Sequence, residues 1–218
     1  RAYETKVHKT EKEVKIETTL SISAIYIQRI LDIQVTWNIQ ADGTVDIAMD
    51  VKRNPIFPML PRFGLRLFLP KEMKDVTYYG LGPVESYMDK RRASWHGEFS
   101  SPVTDLHEDY IRPQENGSHY DCDYVTLSSN AGHLLPERKT SLTAVSGQTF
   151  SFNASVYTEE ELTNKAHHYE LEECGSTVLC LDYRQNGIGS NSCGPQLIEK
   201  YRLDETEFHF ELRLKPEV

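Results

Sequence analysis

The sequence lacks any long apolar run. Its longest is the stretch from Ile22 to Ile27, which is interrupted by a serine and is far shorter than the ~20 apolar residues that a membrane-spanning helix needs. Basic residues are also scarce, with 24 Lys and Arg against 33 Asp and Glu and a formal net charge of −9. Proteins that bind nucleic acid usually carry a basic stripe, and here the one tight basic cluster is Lys90-Arg91-Arg92. We therefore expect neither a membrane nor a nucleic acid as partner.

Cysteine is equally sparse. The four cysteines are too few for a disulfide-stapled scaffold and form no C-x-x-C pair, so we expect ordinary thiols, mostly buried. Reduced thiols favour a cytoplasmic location, with the periplasm as the alternative. The chain starts at Arg1 without an initiator Met or a signal region, so we expect its N-terminus to be a cut inside a longer polypeptide.

Catalytic signatures are missing too. The sequence holds no Gly-x-Ser-x-Gly elbow, Gly-x-Gly-x-x-Gly turn or P-loop. Acidic residues abound, but nothing in their spacing indicates that two of them converge on a scissile bond. His167, His168 and Cys174 suggest a metal site only weakly, because adjacent histidines on a strand point to opposite faces. We predict no catalytic residue and no metal site in this chain.

What the sequence has in quantity is period-two alternation of apolar and polar residues, which is typical of half-buried strands. Two alternating runs flank Asp42-Gly43, a pair that favours a tight hairpin turn. Strands are predicted at 14–22, 31–39, 45–51, 63–69, 150–156, 178–183 and 208–214. One short helix is predicted at 158–166, with Thr158 as N-cap and Glu161 at the capping-box position. We predict an all-β protein, a single β-sandwich domain over residues 1–218 with one short helix.

The middle of the chain loses this alternation. Between residues 78 and 122, Gly, Pro, aromatic and charged residues are mixed, which is typical of long ordered loops on a rigid sheet. We expect function to lie there.

Two glycine-rich segments are notable. In the first, residues 79–91, a sharp turn is expected at Gly80, Gly82 and Pro83. After this turn we expect four exposed side chains, those of Glu85, Tyr87, Asp89 and Arg91. Such a loop binds a sugar through carboxylates and an aromatic platform, or locks itself through an Asp–Arg pair. In the second, residues 186–195, glycines allow a ligand or a neighbouring domain to approach the main chain.

These segments carry a family resemblance. The first, followed by the stretch 110–117 that holds Glu115, Asn116 and Gly117, resembles the C-terminal domain of the large bacterial β-galactosidases of glycoside hydrolase family 2. The strand near 150–155, the helix with His167 and the Gly187-Ile188-Gly189 loop that ends at Pro195 are similar to the end of that domain. The motifs occur in the same order over roughly residues 55–200, whereas the N-terminal strands match only as a pattern.

The resemblance implies a galactose mutarotase-like β-supersandwich downstream of a catalytic (β/α) barrel. The catalytic glutamates and a divalent cation, Mg²⁺, then belong to the barrel, outside these residues. The domain would pack on the barrel and line the rim of the galactoside pocket, with Asn191, Ser192 and Cys193 as rim candidates. Cys193 lies near the place where the family has a sugar-stacking tryptophan, and a thiol offers a sugar much less area than an indole. The resemblance also implies a homo-oligomeric parent enzyme.

Two other functions remain open. One is an independent mutarotase-like isomerase that uses His167 or His168 as acid and Glu170 or Glu173 as base. The other is a free-standing carbohydrate-binding module.

Overall fold

The computed structural model describes residues 1–129, 140–189 and 194–217. Within these ranges, antiparallel strands form one continuous sheet with a single six-residue α-helix, and the prediction of an all-β fold with one short helix is confirmed. In chain order the elements are β1 (Ala2–Lys9), β2 (Glu13–Ile22), β3 (Leu31–Gln40), β4 (Val45–Arg53), β5 (Arg62–Pro70), β6 (Met73–Gly82), β7 (Trp95–Pro102), β8 (Ser118–Ser129), β9 (Ser141–Ser155), α1 (Glu159–Asn164), β10 (Ser176–Gln185) and β11 (Glu207–Glu217). None of the helices in the described part of the chain is long and apolar enough to cross a membrane.

The sheet runs in the order β1-β2-β3-β4-β11-β9-β8-β6-β7, and it forks at β9. The first part of β9 pairs with β11, from Ser141 to Val145, whereas its last part pairs with β10, from Ser151 to Ser155. β10 in turn pairs with β5. β9 thus changes partners along its length, and residues from both branches of the sheet join one hydrophobic core.

The core follows from the alternation in the sequence. On β3, Leu31, Ile33 and Val35 are buried while the residues between them are exposed, and β4 and β11 alternate in the same way. Their inward side chains join those of β6, β8, β9 and β10 in one hydrophobic cluster. Gly43 takes a positive φ of 87° at the predicted hairpin turn between β3 and β4.

The helix begins as predicted. The Thr158 side-chain oxygen accepts a hydrogen bond of 3.1 Å from the Glu161 backbone amide, so the N-cap is confirmed. The Glu161 carboxylate accepts from the Glu172 amide at 2.9 Å and makes an ion pair with Lys165. These contacts attach the segment after the helix to the helix itself.

The structure contains strands that the alternation did not predict, namely β1, β6, β7 and β8. The region 78–122 is not all loop, because it contains β7 and the ends of β6 and β8. β7 lies at an edge of the sheet, where most of its residues are exposed, so it lacks the apolar repeat that marks a half-buried strand. The strand near 150–156 starts earlier than predicted, at Ser141, because its exposed middle around Gly147 breaks the alternation.

Candidate functional site

The two glycine-rich segments meet at one end of the sheet. Asp89 of the first segment accepts hydrogen bonds from the backbone amides of Ile188, at 3.1 Å, and Gly189, at 2.9 Å. A Cβ on Gly187 would lie 2.4 Å from the Asp89 carboxylate, so this close approach requires glycine. Sequence reasoning named both segments, but it left open what each of them contacts.

The start of the second segment is also held by hydrogen bonds to two neighbouring parts of the chain. The Asn186 amide donates to the Pro61 carbonyl at 2.9 Å, and the Gly187 amide donates to the Tyr201 carbonyl at 2.9 Å. The Asn186 side-chain oxygen accepts from the Leu203 amide at 2.6 Å. The loop therefore leaves β10 in a fixed direction. Asn191, Ser192 and Cys193, the candidates for the substrate rim, lie outside the described residues.

Glu85 organises the interior of the first segment. Its carboxylate accepts from the Gly117 amide at 2.8 Å, from the Lys90 ammonium and from the Tyr110 hydroxyl. Burial alone would raise the pKa of Glu85, but the hydrogen bonds from Lys90, Tyr110 and Gly117 lower it below its usual value, so Glu85 is an ion-paired carboxylate. The carboxylate joins the turn after β6 to the loop that precedes β8.

The expectation that Glu85 and Tyr87 are exposed was wrong. Both are buried, at 7% and 2% exposure, and the Tyr87 hydroxyl donates to Glu85 at 3.4 Å. Burial raises the pKa of Tyr87 above its usual value, so the hydroxyl stays protonated. A buried phenol cannot serve as an exposed platform for a sugar. Of the four side chains that we expected to be exposed, Arg91 is exposed and Asp89 is half-buried.

The remaining residues of the turn are fitted tightly. A Cβ on Gly80 would lie 2.3 Å from the Cys122 sulfur, and one on Gly82 would lie 2.1 Å from the Tyr78 hydroxyl. The peptide bond between Gly82 and Pro83 is cis. Arg91 lies over the Tyr120 ring at 5.5 Å, while Asp89 binds backbone amides, so the lock is formed by Asp89 and the second segment rather than by an Asp–Arg pair.

A buried polar cluster that sequence reasoning missed lies beneath this end, where β5 starts and β10 ends. Arg62 binds both oxygens of Asp182, the Glu115 carboxylate at 3.0 Å and the Asn153 side-chain oxygen at 3.2 Å. Gln185 donates to Asn153 at 2.9 Å and to Asp182 at 3.1 Å. We call these five residues the Arg62 cluster. Asp182 itself signals the cluster in the sequence, as a charged residue directly after the buried run Val178–Leu181.

The cluster connects to the loop of Glu115, Asn116 and Gly117. Asn153 donates to the Glu115 carboxylate at 2.8 Å and to the Asn116 carbonyl at 2.7 Å, while the Asn116 side chain accepts from the Glu108 amide at 3.2 Å. Gly117 has a φ of 66°, and a Cβ there would lie 2.4 Å from the Leu106 carbonyl. This loop therefore bridges the Glu85 contacts and the Arg62 cluster.

The cluster holds two carboxylates around one guanidinium, and a third carboxylate, that of Glu159, lies 3.9 Å from Arg62 just outside it. Burial raises the pKa of Glu115 to about 7; the Arg62 charge opposes this rise, and the carboxylates of Asp182 and Glu159 add to it. Burial alone would lower the pKa of Arg62, but Asp182 and Glu115 raise it, so Arg62 stays charged. Asp182 has only 3% of its side chain exposed, and its charge is compensated mainly by Arg62.

This arrangement builds a scaffold and lacks the open acid pair of a glycosidase. In the Arg62 cluster both carboxylates are taken up by Arg62 and the neighbouring amides. Elsewhere, the His167 ring lies 3.7 Å from the Glu170 carboxylate. That carboxylate accepts hydrogen bonds from the backbone amides of Ala166 and His167, so it caps an exposed turn. No group of three or more metal-ligating side chains suited to an ion occurs within residues 1–129, 140–189 and 194–217.

The chain matches one protein family along nearly its whole length. The family model described as β-galactosidase small chain matches residues 1–214. A β-galactosidase of Actinobacillus pleuropneumoniae is 42% identical over 95% of this chain and 20% of its own length, and one of Staphylococcus xylosus is 40% identical over 99% and 21%. The chain thus spans about a fifth of the length of these curated relatives. A galactose 1-epimerase of Lactobacillus acidophilus NCFM superposes with a TM-score of 0.46 at 10% identity, covering 98% of this chain and 65% of that one.

Proposed function

Because the chain belongs to the β-galactosidase small-chain family, we propose that it is a non-catalytic part of a larger β-galactosidase that hydrolyses terminal β-D-galactosides. The observation that carries the proposal is the match of residues 1–214 to the small-chain family model, together with relatives about five times as long as this chain. In this proposal the domain packs on a catalytic barrel outside the chain and lines the rim of its pocket. The acid/base and nucleophile, and a divalent cation such as Mg²⁺, are then supplied by that barrel.

The geometry supports a positioning role at the rim. The Asp89 contact and the backbone bonds of Asn186 and Gly187 hold the start of the segment that continues to Asn191, Ser192 and Cys193. A rim loop must keep one position to select the leaving group of the galactoside, because a displacement of about 1 Å lowers the catalytic rate strongly. The Arg62 cluster and Glu85 provide the rigid base for such a loop.

Three measurements on the 218-residue chain test this proposal against its alternatives. A chromogenic galactoside should not be hydrolysed above background, and freshly dissolved galactose should mutarotate at the uncatalysed rate in a polarimeter. Titration calorimetry with galactose and lactose should give no binding by the chain alone, because the rim is completed by the barrel. Hydrolysis by the chain would overturn the proposal, accelerated mutarotation would favour the isomerase, and binding would favour the carbohydrate-binding module.

A fourth measurement uses the complete enzyme that contains these residues. We expect Cys193→Trp to lower the KM for lactose several-fold, because an indole stacks on a sugar face and a thiol does not. Cys193→Ser is the matched control, and it should leave the KM unchanged. A cytoplasmic, homo-oligomeric parent enzyme is part of the proposal, and cell fractionation and light scattering test these two points.

A further inference from the structure

The first two strands form an amphipathic ribbon at the edge of the sheet. By register, Val7 lies opposite Ile16, Ile16 opposite Trp37, and Trp37 opposite Ile47. Residues that lie opposite each other in antiparallel strands point to the same face. Since Ile47 is a core residue with 1% exposure, the side chains of Val7, Ile16 and Trp37 belong to the same face of the sheet as the core.

The neighbouring row repeats this arrangement, with Val14 opposite Ile39 and Ile39 opposite Val45. The side chains that pack on this face do not reach the edge strands, since Ile39 is 37% exposed and Val7 is 61% exposed. The core face therefore loses its cover toward the edge: Trp37 still packs against the core and is half-buried, as are Val14 and Ile16, whereas Ile39 and Val7 are exposed. We call Val7, Val14, Ile16, Trp37 and Ile39 the uncovered strip.

The opposite face of the same ribbon is charged and internally paired. Lys6 lies 3.2 Å from Glu4, and Lys15 lies 2.8 Å from Glu17. This face is suited to water, whereas the uncovered strip is not. A two-stranded ribbon that separates charged and apolar residues in this way is typical of one whose apolar face packs on further protein.

We infer that the uncovered strip is the docking surface for an apolar polypeptide segment from the rest of the β-galactosidase. The relatives place about four-fifths of their length outside the part that this chain matches, so such a segment is tethered to the domain or assembled with it. Tethering gives it a high effective concentration at the strip, which a second copy of the domain lacks. The inference rests on that part of the proposed function that assigns the chain to a larger enzyme.

Site-specific labelling in the complete enzyme tests the inference. Val7→Cys and Lys6→Cys form a matched pair, since the two residues are adjacent on β1, point to opposite faces and are equally accessible here, with exposures of 61% for Val7 and 60% for the Lys6 side chain. A maleimide should modify Lys6→Cys at least tenfold faster than Val7→Cys in the native enzyme. Peptide mass spectrometry separates these sites from the exposed native thiol of Cys174.

Equal labelling rates for the two variants would overturn the inference. Protection of Val7→Cys that disappears on dilution to the monomeric enzyme would also overturn it, because the occupant would then be a second copy. If either variant fails to assemble, carbene footprinting of the unmutated enzyme replaces it, and Val7 and Ile39 should then be modified far less than Lys6.

Hydrolysis of a chromogenic galactoside, measured on the same samples, separates the two proposals. An active enzyme that labels rapidly at Val7→Cys overturns the docking surface and leaves the proposed function intact. Protection in an assembled but inactive enzyme supports the docking surface and overturns the proposed function.

Discussion

Replacing Arg62 by Met should destabilise the fold more than any exposed ion-pair substitution, because it leaves buried charges without a partner. Asp182 has 3% of its side chain exposed and Arg62 has 23%, so water cannot replace the guanidinium. Breaking a buried pair by removing one partner costs about 3–5 kcal/mol. Since Arg62 keeps some exposure, we expect about 3 kcal/mol, which for a chain of this length lowers the Tm by roughly 6–12 °C.

Arg66→Met is the matched control on the same strand. Arg66 binds Glu159 and Glu160 at 2.7 and 2.8 Å, but with 37% exposure its pairs are worth at most about 1 kcal/mol. Differential scanning calorimetry of the two variants measures the contrast. The reasoning is refuted if Arg62→Met costs no more than Arg66→Met, or if adding Asp182→Asn to Arg62→Met fails to recover at least about 1 kcal/mol of the expected additive loss.

Three further predictions concern the same end of the sheet. Glu115 has a pKa of about 7 in the fold against a usual 4.5, so the folded protein becomes less stable as the pH rises from 4.5 to 7. The Glu115 side chain is 32% exposed, so solvent screening limits the loss of folding free energy to about 1–2 kcal/mol. Glu115→Gln removes this loss, so the Tm of the variant minus that of the unmutated chain should grow from pH 4.5 to 8. A Tm difference that does not change with pH would contradict this. Asp89→Ala should speed amide exchange at the two amides that it binds by at least tenfold, while exchange in the strands stays unchanged; unaltered exchange there would show that the contact does not hold the loop. Gly64→Ala should cost about 3 kcal/mol, because its Cβ would lie 2.1 Å from a backbone oxygen, whereas Gly147→Ala, with open space around it, should be neutral or stabilising in thermal unfolding.

The strands that are most readily predicted are those with one face in the core and the other in water. β3, β4 and β11 alternate because water lies on one side and apolar neighbours on the other. The edge strands β1 and β7 have no such contrast, since most of their residues are exposed, and they were missed. β6 and β8 were missed as well, although they contribute core residues, because register shifts interrupt the period of two in these strands. Alternation therefore reports burial, and it indicates a strand only where burial accompanies it.

The site was predicted in composition but not in geometry. The glycine-rich segments were identified, yet the partners that decide their roles are distant in sequence: Gly117 for Glu85, and Ile188 for Asp89. Whether Tyr87 is exposed or buried depends on such partners, and spacing within the segment carries no information about them. The Arg62 cluster was missed for the same reason, because its members come from four separate parts of the chain.

The position of β11 has a consequence for folding during synthesis. Among the strands of the described residues β11 comes last in chain order, yet it lies inside the sheet between β4 and β9, and its residues Phe210 and Leu212 are buried in the core. While a ribosome is still translating the preceding strands, the meander β1–β4 can pair locally, but it has no hydrogen-bonded neighbour to connect it to β9. The nascent chain therefore holds two incomplete halves with open edges until β11 emerges, which makes this interval the period of greatest exposure to aggregation and to chaperones.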